Sequence, residues 1–367
     1  MSTLDQRLAG CRVVICAGAG GVGKTTLSAA MAMALAERGA RVAVVTIDPA
    51  RRLAQALGLD ALENDPVRVD PEVLSRGGVE LRGELWAMML DAKRTFDDLI
   101  ARLAPDARTR DDILANEIYR QLSGAVAGSQ EYTAIAKLYD LVHDGGFDVI
   151  VLDTPPSRNA LEFLDAPGRL TAFLEGRALR AFLAPAGLAR LMSGGASAAF
   201  AVLRRLTGVN LLEDLSVFFR QLSGLTDGLR DRASDVDALF HDPATRFVVV
   251  TSPGPGPVNE AVFLARRLGR AGLPSAAIIV NRVHPLDRDE RSETETAARL
   301  AAELGPDLAR RVARTHAELQ VLARREAAAI SRLRRTLAED DPVLVPDLEE
   351  DIHDVRGLAT LRDRLFG

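Results

Sequence analysis

The chain has 367 residues, of which 47% are hydrophobic and 26% charged, with a formal net charge of −5. That length allows two domains or one large α/β domain with insertions, and the apolar content excludes a disordered chain. The negative balance argues against broad nucleic-acid binding. The most membrane-like run, residues 181–203, is broken by Pro185, Arg190 and the Gly194-Gly195 pair, so the chain is not expected to be an integral membrane protein.

In chain order, residues 12–17 (RVVICA) form an apolar run before a Gly-rich turn and predict a buried parallel strand. Residues 25–37 place Leu27, Met31, Ala34 and Leu35 at helical spacing, with Arg38-Gly39 as a stop. Residues 41–46 (RVAVVT) complete a βαβ unit. Further strands are predicted at 84–90, 148–152, 246–251, 276–280 and, more weakly, 343–345. Residues 94–142 and 159–239 carry no strand signal and read as helical insertions; five of the twelve phenylalanines lie between 173 and 219. The charge runs at 287–295 and 310–335 read as solvated helix faces. Leu358, Leu361 and Leu365 predict a terminal helix docked on the core. The set implies an α/β fold with a doubly wound, mostly parallel sheet, one domain over residues 1–367 into which the helical segments are inserted.

Residues 16–26 read CAGAGGVGKTT, which contains G-x-x-x-x-G-K-[ST] from Gly18 to Thr25 between a strand and a helix. Glycines let successive N–H groups turn inward on phosphate oxygens, and the helix N-terminus adds positive potential. Gly20, Gly21, Val22, Gly23, Lys24, Thr25 and Thr26 are the candidate phosphate-binding residues of a P-loop NTPase. Lys24 would reach the β- and γ-phosphates, and Thr25 would hold Mg²⁺. Asp153, after four apolar residues in DVIVLD, is the acid expected beside the metal, and residues 154–157 would sense the γ-phosphate. Asp48, past the second strand, suits either an acceptor that orients the attacking water or a helix N-cap. Asn281 suits either an adenine edge or a turn after its strand.

Several motifs, AGAGGVGKTT, VTIDPARRLAQALGL, LWAMMLDAKRTFDDL, SQEYTAIAKLYDL, DTPPSRNALEFLDAP, VNRV and DVRGLATL, stand in the order of the arsenite-pump (ArsA) ATPase family, which the chain resembles over nearly its whole length. That family includes the ATPase that targets tail-anchored membrane proteins. The resemblance implies ATP/ADP and Mg²⁺ as ligands, with Thr25, Asp48 and Asp153 around the metal. It implies Asp48 as the residue that positions water, Lys24 and Asp153 as its catalytic companions, and Asn281 as the adenine reader. Pro346 and Asp347 would lie beside the base. It further implies a dimer cycle driven by nucleotide that controls a client or partner protein.

The chain departs from that family at Ala19, where related loops carry a lysine that reaches across the dimer. Slow hydrolysis is the expectation, unless Arg51, Arg52 or Arg158 substitutes. The alternatives are a low-turnover regulatory subunit paired with an active paralogue and an anion-pump motor. Cys11 and Cys16 are the only cysteines, five positions apart and on opposite faces of an extended chain, so they cannot pair. The family's cysteine sites for arsenite and zinc are absent. With no apolar leader at the N-terminus, a cytoplasmic location is expected. Phe173, Phe182, Phe200, Phe218 and Phe219 are candidates either for an apolar client groove or for packing of the insertion on itself.

Overall fold

The structure is a computed structural model that describes residues 3–47, 52–116, 119, 129–154, 165, 168, 172, 225–273, 275–287, 291–337 and 341–367. Asp48, Arg51, Arg158, residues 155–157 and the insertion phenylalanines named above lie outside the described residues. Two compact units divide the chain: Met1–Met88 with Phe147–Ala160 and Pro243–Gly367, and Met89–Gly146 with Leu161–Asp242.

The first unit is built on an eight-stranded sheet of order β3-β4-β2-β5-β1-β6-β7-β8. Its strands are β1 (Val13–Gly18), β2 (Arg41–Thr46), β3 (Val67–Arg68), β4 (Glu84–Met89), β5 (Val149–Asp153), β6 (Thr245–Thr251), β7 (Ser275–Val283) and β8 (Val343–Pro346). The pairs β1–β5, β1–β6, β2–β5, β6–β7 and β7–β8 are parallel, and β3 runs antiparallel to β4. Strands β1 and β5 are buried along their whole length, which is why they read as continuous apolar runs rather than alternating ones. Both flanks of the sheet end in short strands: β3 has two residues, both exposed, and β8 is four residues long with Val345 buried. This is the doubly wound α/β arrangement expected from the sequence, with β3 as an addition that no apolar run announces.

Register places the ends of several strands on one edge. Cys16 of β1 and Thr46 of β2 both stand opposite Asp153 of β5, and Gly18 stands opposite Val250 of β6. Helix α1 (Thr3–Leu8) precedes β1, and α2 (Lys24–Glu37) follows it. The apolar spacing of α2 predicts one buried stripe, yet burial extends around most of its circumference. The reason is the terminal helix Val355–Phe366, which packs on α2 and buries Leu358, Leu361 and Leu365. Small residues are frequent on α2, among them Ala29, Ala30 and Ala32, all buried, while Ser28 turns toward Cys16 of β1. Between them in sequence, α3 (Arg52–Ala56) and α4 (Pro71–Arg76) are short.

In the second unit, α5 (Ala92–Leu103), α6 (Ala107–Ala115), α7 (Ser129–His143) and α8 (Thr226–His241) bury Leu99, Ile100, Ile113, Leu138, Val236 and Phe240. Tyr119 donates its hydroxyl to Asp97, and burial pushes its ionisation well above the ordinary tyrosine range. Back in the first unit, α9 (Pro255–Arg270) follows β6. Helices α10 (Glu293–Leu304) and α11 (Pro306–Leu337) form a hairpin between β7 and β8, and the terminal helix already described is α12. The charge run 310–335 falls on α11, where Arg314 pairs with Glu318 at 3.1 Å, one turn apart; the run 287–295, expected on a helix face, reaches α10 only from Glu293, and residues 288–290 lie outside the described residues.

The tightest backbone approach in the first unit is at Gly18, where a Cβ would stand 2.0 Å from the Val250 carbonyl oxygen. Gly18→Ala is therefore expected to destabilise the fold by about 2–3 kcal/mol, because backbone rather than a flexible side chain must move. Denaturant unfolding of the variant against the parent measures it; an unchanged midpoint would contradict this packing.

Candidate functional site

The turn between β1 and α2 has the backbone that its sequence requires. Gly21 and Gly23 have φ of 75° and 91°, in the left-handed region that residues with a Cβ rarely enter. Lys24 opens α2 and is buried, with its Nζ donating to the Ala19 carbonyl at 2.8 Å. The ammonium thus lies over the loop's own curl, at the end where a polyphosphate would place its charge.

Beside it, Thr25 Oγ1 donates to Asp153 Oδ2 at 2.6 Å, and Thr46 Oγ1 donates to the same oxygen at 2.9 Å. Asp153 is 1% exposed at the end of β5. Two hydroxyls from two different neighbouring elements therefore hold one carboxylate facing the start of α2. Thr46 was not among the sequence candidates. The signal for it was present, since RVAVVT and DVIVLD are neighbouring parallel runs that end level with each other. Thr154, expected from the sequence as the start of a γ-phosphate sensor, lies in the same cleft wall: its hydroxyl donates to the Cys16 carbonyl at 2.8 Å and its N–H to the same oxygen at 3.2 Å, bracing β5 against β1.

These groups face a cleft of about 540 Å³. Gly20, Gly21, Gly23, Lys24, Thr25, Thr26, Asp153 and Thr154 form one part of its wall; Asn281, Arg282, Pro346, Asp347, Leu348 and Ile352 form another, and Arg52 also lines it. Val22 contributes backbone only, its carbonyl accepting from Asn281 Nδ2 at 2.9 Å. The structure thus brings together every described candidate from Gly20 to Thr26 with Asp153, Asn281, Pro346 and Asp347. A slightly larger hollow of about 590 Å³ lies between Glu37, Arg38, Arg82, Arg362 and Phe366, at the other end of α2, and holds none of these residues.

The donors near Thr25 and Asp153 are all hard oxygens, the set that suits Mg²⁺. Beneath them, Cys16 is fully buried. Desolvation raises its thiol to about 12 from 9.0, with Asp153 adding to the rise and the Ser28 hydroxyl and Lys24 opposing it. The thiol is therefore a neutral packing group below the phosphate loop. An acid raised on folding holds its proton longer than the unfolded chain does, so stability falls as pH climbs through that interval. Wild type should lose about 1.4 kcal/mol per pH unit more than Cys16→Ala between pH 9.0 and about 12. Denaturant midpoints of both proteins across that range measure the difference, and parallel curves would contradict it.

The anion-transporting ATPase (ArsA ATPase) family matches residues 11–305. The chain is 29% identical to ATPase ARSA1 of Chlamydomonas reinhardtii over 315 residues, 79% of this chain and 38% of that protein. It is 27% identical to the arsenical pump-driving ATPase of Escherichia coli over 284 residues, 76% of this chain and 41% of that one. Against ATPase GET3 of Malassezia globosa the identity is 28% over 288 residues, 76% of this chain and 74% of the relative. The chain thus spans about two fifths of the first two proteins and about three quarters of the third. The matched region runs from the residue group before β1, through the phosphate loop, Asp153 and Asn281, to the turn between α10 and α11, and on that extent the chain belongs to the ArsA ATPase family.

Proposed function

We propose that this chain binds Mg–ATP in the cleft and hydrolyses it, and that the nucleotide cycle governs its hold on a partner protein. The observation that carries the reading is the meeting of the Gly20–Thr26 turn and the buried Lys24 ammonium with the Thr25–Asp153 oxygen pair at one sheet edge. On binding, Lys24 exchanges the Ala19 carbonyl for phosphate oxygens, and the amides of the turn and the first turn of α2 supply the rest of the cradle. Thr25 and Asp153 would hold the Mg²⁺, which supplies charge neutralisation at the phosphates. Thr46 keeps Asp153 oriented. Asp48, just past Ile47 and the end of β2, would align water in line with the γ-phosphate, while Asn281, Pro346 and Asp347 would enclose the base.

On this reading residues 1–367 act as one ATPase domain of the cytoplasm, with the insertions at 94–142 and 159–239 carrying the partner surface. The functional unit is a homodimer or a heterodimer with a paralogue. Turnover is slow because Ala19, 6% exposed, brings no cation toward a facing copy. Arg52, exposed and in the cleft wall, is the described arginine placed to compensate. The same alanine favours a second reading, a regulatory subunit whose active paralogue supplies the missing charge. A metalloid-pump role finds little support, because both cysteines are buried.

Lys24→Ala should weaken Mg–ATP affinity by about 100-fold by calorimetry, the loss of a charge-assisted contact in a buried setting. Ala19→Lys should raise steady-state turnover, toward the 10³-fold order known for cations supplied in trans. A parent enzyme that already turns over rapidly, with no gain from Ala19→Lys, would reject the role given to Ala19.

A further inference from the structure

The strand on the base side of the cleft grips the phosphate loop. Asn281, 8% exposed near the end of β7, donates from Nδ2 to the Val22 carbonyl at 2.9 Å. A carbonyl only accepts, so the amide nitrogen is the end of Asn281 that must face it. Gly23 fits the same contact, for a Cβ there would stand 2.4 Å from that nitrogen. The next residue aims the side chain. Arg282, with φ of 61°, is the one non-glycine in the left-handed region among the described residues, and it sits where the β7–β8 register shifts between Val280 and Val283. The far side of this kink is pinned twice. Val283 O accepts from Asp347 N at 3.0 Å, and His284 N donates to Glu326 Oε2 on α11 at 2.9 Å.

We infer that Asn281 is a positioning residue for the phosphate loop, and that the left-handed backbone of Arg282 is the device that holds it in place. In a trans peptide the C=O and the following N–H point in opposite directions. Holding the Val22 carbonyl against Asn281 therefore turns the Gly23 N–H away from Asn281, to the opposite side of the loop, where the rest of the cradle lies. This role rests on the nucleotide-binding reading and is separate from recognition of a base. A base reader affects one nucleotide against another, whereas a loop latch affects every polyphosphate alike.

The test is calorimetric binding of Mg–ATP, Mg–GTP and Mg–tripolyphosphate to the full chain and to Asn281→Ala, with thermal unfolding of both as a check on folding. The latch predicts a loss of about 5- to 10-fold shared by all three ligands, the size of one buried hydrogen bond. A loss confined to ATP, or no loss, overturns it. Arg282→Gly and Arg282→Val provide an independent arm: both remove the same cation, but only glycine keeps the left-handed turn without strain. Arg282→Gly should bind tripolyphosphate several-fold more tightly than Arg282→Val, and equal affinities overturn the role given to the kink. Failure of the parent chain to bind Mg–ATP would instead remove the nucleotide reading itself.

Discussion

A short piece of backbone with almost no side chains sets the rest of the first unit. Between Gly18 and Gly23 the chain must leave β1, pass close to β6 and curl into the first turn of α2. A carbonyl of β6 occupies the space that any side chain at position 18 would need. Left-handed φ angles at Gly21 and Gly23 then complete the curl. Parallel register carries this constraint outward, since the strands that pair with β1 and β5 are fixed in height by it. Thr46, Asp153 and Gly18 therefore reach the same edge, on the side where open α/β sheets bind ligands.

The electrostatics of that edge follow from its dryness. A buried ammonium and a buried carboxylate each need partners, and here they find them in different places: Lys24 on the Ala19 carbonyl, Asp153 on two threonine hydroxyls. The neutral Cys16 thiol below them adds no competing charge.

Much of this was legible in the sequence, for physical reasons that differ by element. Strands buried on both faces announce themselves as unbroken apolar runs, so β1, β2, β5 and β6 could be read to within one residue, while β7 runs three residues past the expected end. Strand β3 could not be read, because two exposed residues on an antiparallel edge leave no apolar trace. The stripe on α2 was read as one face, and the covering helix α12 was read as docked, but their mutual contact was not deduced. The many alanines of α2, buried all round the helix, carry no periodic signal that would announce a second layer. In the site, Gly18 to Thr25 and Asp153 are marked by spacing after a strand. Thr46 needed the register of two strands compared. The bond from Asn281 to Val22 depends on the backbone angle of Arg282, and arginine is not a residue type that signals a left-handed turn.

The flanks of the sheet carry one more consequence. An open sheet normally presents two rows of unpaired amides and carbonyls, and a long, flat margin recruits strands from other molecules. Here one margin is only two residues long and the other four. Neither offers a template long enough for a foreign strand to zip onto. Edge-to-edge growth of the sheet by added strands is thereby disfavoured on both sides.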